Sequence, residues 1–291
     1  PFSKKKKLKK IVEQYDIIHL HNIHGYYFML NYLDILKEKP VVWTLRDFWP
    51  ITGGCAFFGD CQKWKIGCGN CPHLEYYPKS SFFDRTALMF RKKRDEIHKL
   101  NNLSIVTISK WAAEIVRQSH LRKFNIYTIY NGLDTKAYKL NSSTIYNKSS
   151  KMRLLFIATK MNSSRKGLEP FLESLQLLPN KEQYEVRFVG ENMTDALRKT
   201  YLNGLADIEY GYINKPEEMS KIYSSADLYV NLSTSETFGR TNIESMLSGT
   251  PVLSYDIPIM KELMGDKGIY VAVGNIEKIA DTIEKFYRNR P

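Results

Sequence analysis

The stretch from Ser224 to Asp256, SSADLYVNLSTSETFGRTNIESMLSGTPVLSYD, limits the possible folds more than any other part of the chain. Asp227 to Leu232 is a short, mostly apolar run, as expected of a strand buried on both faces. Ser233 to Gly239 is a polar loop ending in glycine. Thr241 to Leu247 places Ile243, Met246 and Leu247 at helical spacing, stops at Gly249 and has Pro251 just beyond. Val252 to Tyr255 opens another strand. This is a strand–loop–helix–strand unit. In such units, ligands sit at the carboxyl ends of the strands, against the helix N-terminus. Two acids frame the loop, Glu236 before the helix and Glu244 inside it, with seven residues between them. Taken alone, two such acids read as solvated charges.

The remaining elements repeat the pattern. In the first half, Asp16–Leu20, Pro40–Leu45, Leu103–Ile108 and Ile126–Tyr130 read as strands. Helical spacing is expected at Tyr26–Leu36, around Arg91–His98 and over Trp111–Ser119. The polar segment 141–151 (NSSTIYNKSSK) is the best linker, which sets domains at 1–140 and 152–291. After it come the strand Leu154–Thr159, a basic loop with Lys160, Arg165 and Lys166 ending at Gly167, and a helix from Leu168 to Leu178. A strand, a basic loop ending in glycine and then a helix suit a phosphate. The spacing is not that of a Walker A loop. Tyr184–Val189 is a further strand, and Ile208 leads to Tyr212 and Ile213. Strands alternating with helices predict α/β domains with parallel sheets.

The order Glu236, Phe238-Gly239, Glu244, Gly249-Thr-Pro-Val resembles the E-x7-E signature of retaining glycosyltransferases of family 4. DIIHLHNIHG, PVVWTLRDFW, VTISKW and NGLDTKAY in the first half resemble the acceptor domain of the same enzymes, especially those building capsule, lipopolysaccharide or colanic-acid-type exopolysaccharide. The resemblance implies the GT-B fold, two Rossmann-like α/β domains facing one cleft. It further implies transfer of a hexosyl group from a nucleoside-diphosphate sugar to a saccharide or lipid-linked saccharide, with retention. Lys160 and Lys166, with Arg165, would grip the diphosphate, and the Phe238–Thr241 backbone, including Arg240, would present helix dipoles to it. Glu236 would hold sugar hydroxyls and Glu244 the ribose, while Tyr212 and Ile213 would flank the base. Arg46 stands where the family usually has His, and Lys160 where it usually has Arg. Relative to the family, an opening strand with a Gly-rich loop and a crossing C-terminal helix are expected to be missing, as in a fragment.

The net charge of +12 lies wholly in residues 1–140, which hold 24 Lys+Arg against 12 Asp+Glu, with runs at Lys4–Lys10 and Arg91–Arg94. Such runs are first a solvated face and next a surface for anionic lipid. No nucleic-acid motif accompanies them, so nucleic acid is not an expected partner. There is no apolar run of membrane-spanning length and no signal-peptide pattern, and a cytoplasmic, peripheral location is expected. Cys55, Cys61, Cys68 and Cys71 fall within seventeen residues. The Cys68–Cys71 spacing is that of a zinc knuckle, and all four could form a structural thiolate site; four reduced thiols are the plain alternative. No cofactor is expected for the chemistry itself. A nucleotide-sugar epimerase on the same fold and an inactive donor-binding subunit are the rival readings.

Overall fold

The computed structural model describes residues 2–25, 27–79, 83–140 and 150–289. It divides into two compact units, residues 1–131 and 132–291. The first holds four parallel strands in the order β1-β2-β3-β4: β1 (Ile18–Leu20), β2 (Val41–Leu45), β3 (Leu103–Thr107) and β4 (Asn125–Thr128). Helices α1 (Phe2–Val12), α2 (Thr86–Ile97) and α3 (Lys110–Arg117) complete it. The β2 and β3 sequences, VVWTL and LSIVT, bury nearly every side chain, as strands covered on both faces must. Ser109 starts α3 by accepting the Ala112 N–H at 3.1 Å.

Where helical spacing predicts a helix over 26–36, the structure has a 3-10 element at Leu30–Leu36. It has no side-chain cap at Met29, and it buries Tyr32, Leu33 and Leu36 in tight turns.

The second unit carries six parallel strands in the order β10-β9-β8-β5-β6-β7. They are β5 (Met152–Lys160), β6 (Tyr184–Glu191), β7 (Ala206–Glu209), β8 (Leu228–Asn231), β9 (Val252–Tyr255) and β10 (Ile269–Val271). The helices are α4 (Leu168–Gln176), α5 (Asp195–Tyr201), α6 (Pro216–Ser224), α7 (Arg240–Leu247), α8 (Pro258–Met264) and α9 (Ile276–Arg288). This is the doubly wound order, and winding reverses between β5 and β8. Its core includes Leu154, Phe156, Phe171, Phe188, Val230 and Ile283. The Phe156 and Phe171 rings stack with centroids 5.4 Å apart. Each such side chain contributes roughly 1.5–3 kcal/mol by leaving water. Arg153 and Asp227 pair at 3.0 Å and tie the start of β5 to the turn before β8.

The division between units falls at Asn131/Gly132, ahead of the boundary at 140 drawn from composition. Tyr138 explains it, because its ring is buried and lies 6.4 Å from that of Tyr223 on α6. Most of the expected linker, residues 141–149, lies outside the described residues.

Candidate functional site

In a doubly wound sheet ligands bind in the crevice outside the carboxyl ends of the strands at the winding reversal, and at the ends of β5 and β8 two loops meet. Gly167 makes their approach possible. Its φ is +73°, and a Cβ on it would lie 2.3 Å from the Leu232 carbonyl oxygen. The loop after β5 therefore presses directly on the end of β8, and Thr234 N–H donates to Arg165 O at 3.0 Å. Arg165 Nη1 donates to Ser235 O at 2.7 Å and to Glu236 Oε1 at 3.1 Å. Lys166 Nζ also donates to Glu236 Oε1. One carboxylate oxygen thus holds two cations. Burial alone would push the Glu236 carboxyl up, but Lys166 and Arg165 outweigh it and hold it below its usual range.

Glu244 is buried within α7. Its Oε1 accepts Arg240 Nε at 2.6 Å and its Oε2 accepts the Tyr223 hydroxyl at 3.1 Å. Tyr138 faces the same carboxylate, and burial followed by Glu244 pushes that phenol up to about 12. Gly239 precedes α7 with φ +79°, and Phe238 before it is buried. Thr241 Oγ1 accepts the Tyr229 hydroxyl at 3.0 Å, which anchors the first turn to β8. Asn242 N–H donates to Gly239 O at 3.0 Å within that turn, and as the first turn of a helix it carries the positive end of the dipole. Asn242 Oδ1 accepts Asn231 Nδ2 at 2.6 Å, another tie from helix to strand.

Lys160 is exposed at the end of β5, outside the Lys166–Glu236 cluster as the side chains stand. Tyr212 is exposed and Ile213 half-buried just after β7, two strands from β5. Arg46 belongs to the first unit, at the end of β2. There its Nη1 donates to Asn131 Oδ1 at 2.9 Å and its Nε to His21 Nδ1 at 3.4 Å. Burial, then His19 and Arg46, push His21 down, which suits it to accept that bond as a neutral ring. Beside it, His24 Nε2 and Asp47 Oδ2 are 2.6 Å apart and buried. The four cysteines line one pocket in the loop between β2 and α2. Burial pushes the Cys55 and Cys68 thiols up to about 11, which removes them as nucleophiles at neutral pH.

The family model described as Glycosyl transferases group 1 matches residues 144–291, and that of Glycosyltransferase Family 4 matches residues 1–137. The chain belongs to this glycosyltransferase family. Among curated relatives, the putative colanic acid biosynthesis glycosyl transferase WcaC of Escherichia coli K12 is 22% identical over 264 residues, covering 87% of this chain and 62% of that protein. The chain therefore spans less than two thirds of that relative's length. The O-antigen chain mannosyltransferase RfbU of Salmonella typhimurium is 25% identical over 282 residues, covering 86% of the chain and 74% of the relative. Among solved structures, sucrose-phosphate synthase of Thermosynechococcus elongatus superposes with a TM-score of 0.71 at 16% identity, covering 99% of this chain and 68% of that one. Anabaena HepE, solved in complex with UDP-glucose, gives 0.67 at 18% identity, covering 99% and 74%. These likenesses show the GT-B fold of two Rossmann-like domains.

Sequence reading singles out Glu236 and Glu244 from the acidic motif and Arg165 and Lys166 from the basic loop, and the structure brings Arg165, Lys166 and Glu236 together. That reading does not find Tyr223 and Tyr138 as partners of Glu244. They come from α6 and from the segment after β4, and no local pattern links those to α7. Nor does it pair His24 with Asp47. Both stand at strand ends in the sequence, but only the sheet brings them together.

Proposed function

We propose that the protein transfers a hexosyl group from a nucleoside-diphosphate sugar to a hydroxyl of a saccharide or lipid-linked saccharide, with retention, in cell-surface polysaccharide biosynthesis. The observation that carries this reading is the meeting of Arg165, Lys166 and Glu236 at the winding reversal of the second unit. Bond cleavage at the anomeric carbon leaves negative charge on the diphosphate. Fixed cations and helix dipoles stabilise that charge without reorganising. Lys166 and Arg165 supply the cations, and the first turns of α4 and α7 supply the dipoles. With no donor bound, Glu236 takes the place of a phosphate oxygen between the two cations. With donor bound, those cations turn to the diphosphate and Glu236 accepts hydrogen bonds from sugar hydroxyls. Glu244 exchanges Arg240 for ribose hydroxyls. Lys160 adds a further charge at the mouth, and Arg46 serves the acceptor side.

The activities of the relatives support this reading by name, and the UDP-glucose complex of HepE supports a nucleotide-sugar donor. The test is mass spectrometry of the products formed from a panel of nucleotide sugars and a lipid-linked acceptor, with NMR of the same products to read anomeric and epimeric configuration. Transfer with retained anomeric configuration is expected. Free epimerised nucleotide sugar without acceptor would instead mark an epimerase, and donor binding without turnover would mark an inactive subunit. Glu236→Gln should lower kcat and kcat/KM together by about 10²-fold, since the contact is made in the transition state. Unchanged turnover in that variant removes Glu236 from the site.

A further inference from the structure

The loop between β2 and α2 contains the four cysteines, and nothing in sugar transfer requires them. All four line a single pocket that leaves a free volume of about 20 Å³, room for one water-sized species. All four thiols are free and partly buried. Backbone amides already point at two of the sulfurs. Gly53 N–H donates to Cys68 Sγ at 3.1 Å, and His73 N–H donates to Cys71 Sγ at 3.4 Å. Such donors stabilise negative charge on sulfur.

The turn that brings Cys68 and Cys71 together is strained. Cys68, Gly69 and Asn70 all have positive φ, at 59°, 97° and 45°. A non-glycine residue in that region costs about 1 kcal/mol or more and persists only where its surroundings hold it. Two of these three are not glycine. The loop is also pinned at its base. A Cβ on Gly53 would lie 2.5 Å from Thr86 O, Gly69 N–H donates to Thr86 Oγ1 at 3.0 Å, and Cys71 N–H donates to Asp84 Oδ2 at 2.7 Å.

Charge points the same way. Lys93 of α2 is fully buried, and its ammonium lies over the Trp49 ring and donates to Trp49 O. Burial pushes that ammonium down to about 7, against the opposing pull of Cys55, Cys68 and Asp47, and Asp47 is already engaged by His24. A buried cation without compensating charge is costly. Thiolates at the cysteines would offset it.

We infer that Cys55, Cys61, Cys68 and Cys71 together hold one zinc ion in a closed, structural site. Among the described residues no three His, Cys, Asp or Glu side chains already stand at metal-holding distance. The four cysteines line the one space that such an ion would fill. Binding releases the four thiol protons and leaves a tetrathiolate of net charge −2 beside Lys93. Soft thiolates in tetrahedral number select zinc over oxygen-seeking cations. The ion fastens the loop that leaves β2 directly after Arg46 and Asp47, and so holds the shape of that end of the first unit.

The test is elemental analysis of the chain expressed in zinc-supplemented medium and purified without chelator. About one zinc per chain is expected, together with loss of that zinc in Cys68→Ser/Cys71→Ser and a lower melting temperature after chelation. Should the variant fail to fold, the wild-type chain loaded with cobalt(II) should show the intense visible bands of tetrahedral thiolate coordination. Four titratable thiols without metal, a pair of disulfides, or zinc fully retained in the double variant each overturn the assignment.

Discussion

A single oxygen of Glu236 accepts from both Arg165 and Lys166 in the second unit. Each charge-assisted bond is worth roughly 1.5–3 kcal/mol, so ligand phosphates must compete with a good partner. That competition favours a ligand with both an anion for the cations and hydroxyls for the released carboxylate. Among the histidines of the first unit, His120 is the most strongly shifted. Burial, with His98, Lys93 and Arg94 nearby, pushes it down to about 4 despite its bond with Pro50 O. The unfolded chain therefore binds the extra proton between about pH 6.5 and 4. His120 detracts nothing from stability above that window, and stability is lost as pH falls through it. The loss is on the order of 2 kcal/mol after allowing for the ring's residual exposure. The urea midpoint should thus fall from pH 7 to pH 5, and His120→Gln should flatten the slope. An equal slope in that variant would place the sensitivity elsewhere.

Elements differ in how far their own sequence announces them. LYVN and VLSY become β8 and β9 because nearly unbroken apolar runs suit only a strand covered on both faces. α9 carries an equally plain signal, Asn275 as cap and Ile279, Ala280 and Ile283 buried, which a reading centred on motifs passes over. α1 has no such signal. Its lysines break any wide apolar stripe, and among its described side chains Leu8 and Val12 pack against the core. The candidate site divides in the same way: its motif residues are local, whereas the buried tyrosines around Glu244 are contributed by distant segments. What α1 does present is charge, with Lys4, Lys6, Lys7, Lys9 and Lys10 all exposed and Ile11, Tyr15 and Ile17 exposed just beyond. Near an anionic bilayer each lysine contributes about 1 kcal/mol, within a Debye length. The chain should therefore sediment with vesicles containing phosphatidylglycerol and not with purely zwitterionic ones. Added salt or replacement of these five lysines by Gln should reverse that. Equal binding to both vesicle types would exclude an electrostatic role for α1.

At the scale of the whole molecule, the two units have separate cores. All four tryptophans, Trp43, Trp49, Trp64 and Trp111, lie in the first unit, and the Arg165–Lys166–Glu236 cluster lies in the second. Tryptophan fluorescence therefore reports one unit, while calorimetry reports both. In the proposed function the donor charge is met by side chains and helix ends, and the sequence holds no Asp-x-Asp pair of the kind that grips a divalent ion. A nucleoside diphosphate at 100 times its Kd adds about 2.7 kcal/mol to the state that binds it. For a unit of this size that is a rise of about 5–10 °C in Tm. The calorimetric transition of the second unit should rise by that amount with chelator present, ahead of any change in the tryptophan signal. Lys166→Ala removes one charge-assisted contact and leaves Glu236 with Arg165 alone. It should weaken the nucleotide by about tenfold to a hundredfold and cancel half or more of the shift. A shift that chelator abolishes and Mn²⁺ restores would assign the diphosphate to a metal ion instead of Lys166. A shift confined to the tryptophan signal would move the nucleotide to the other unit.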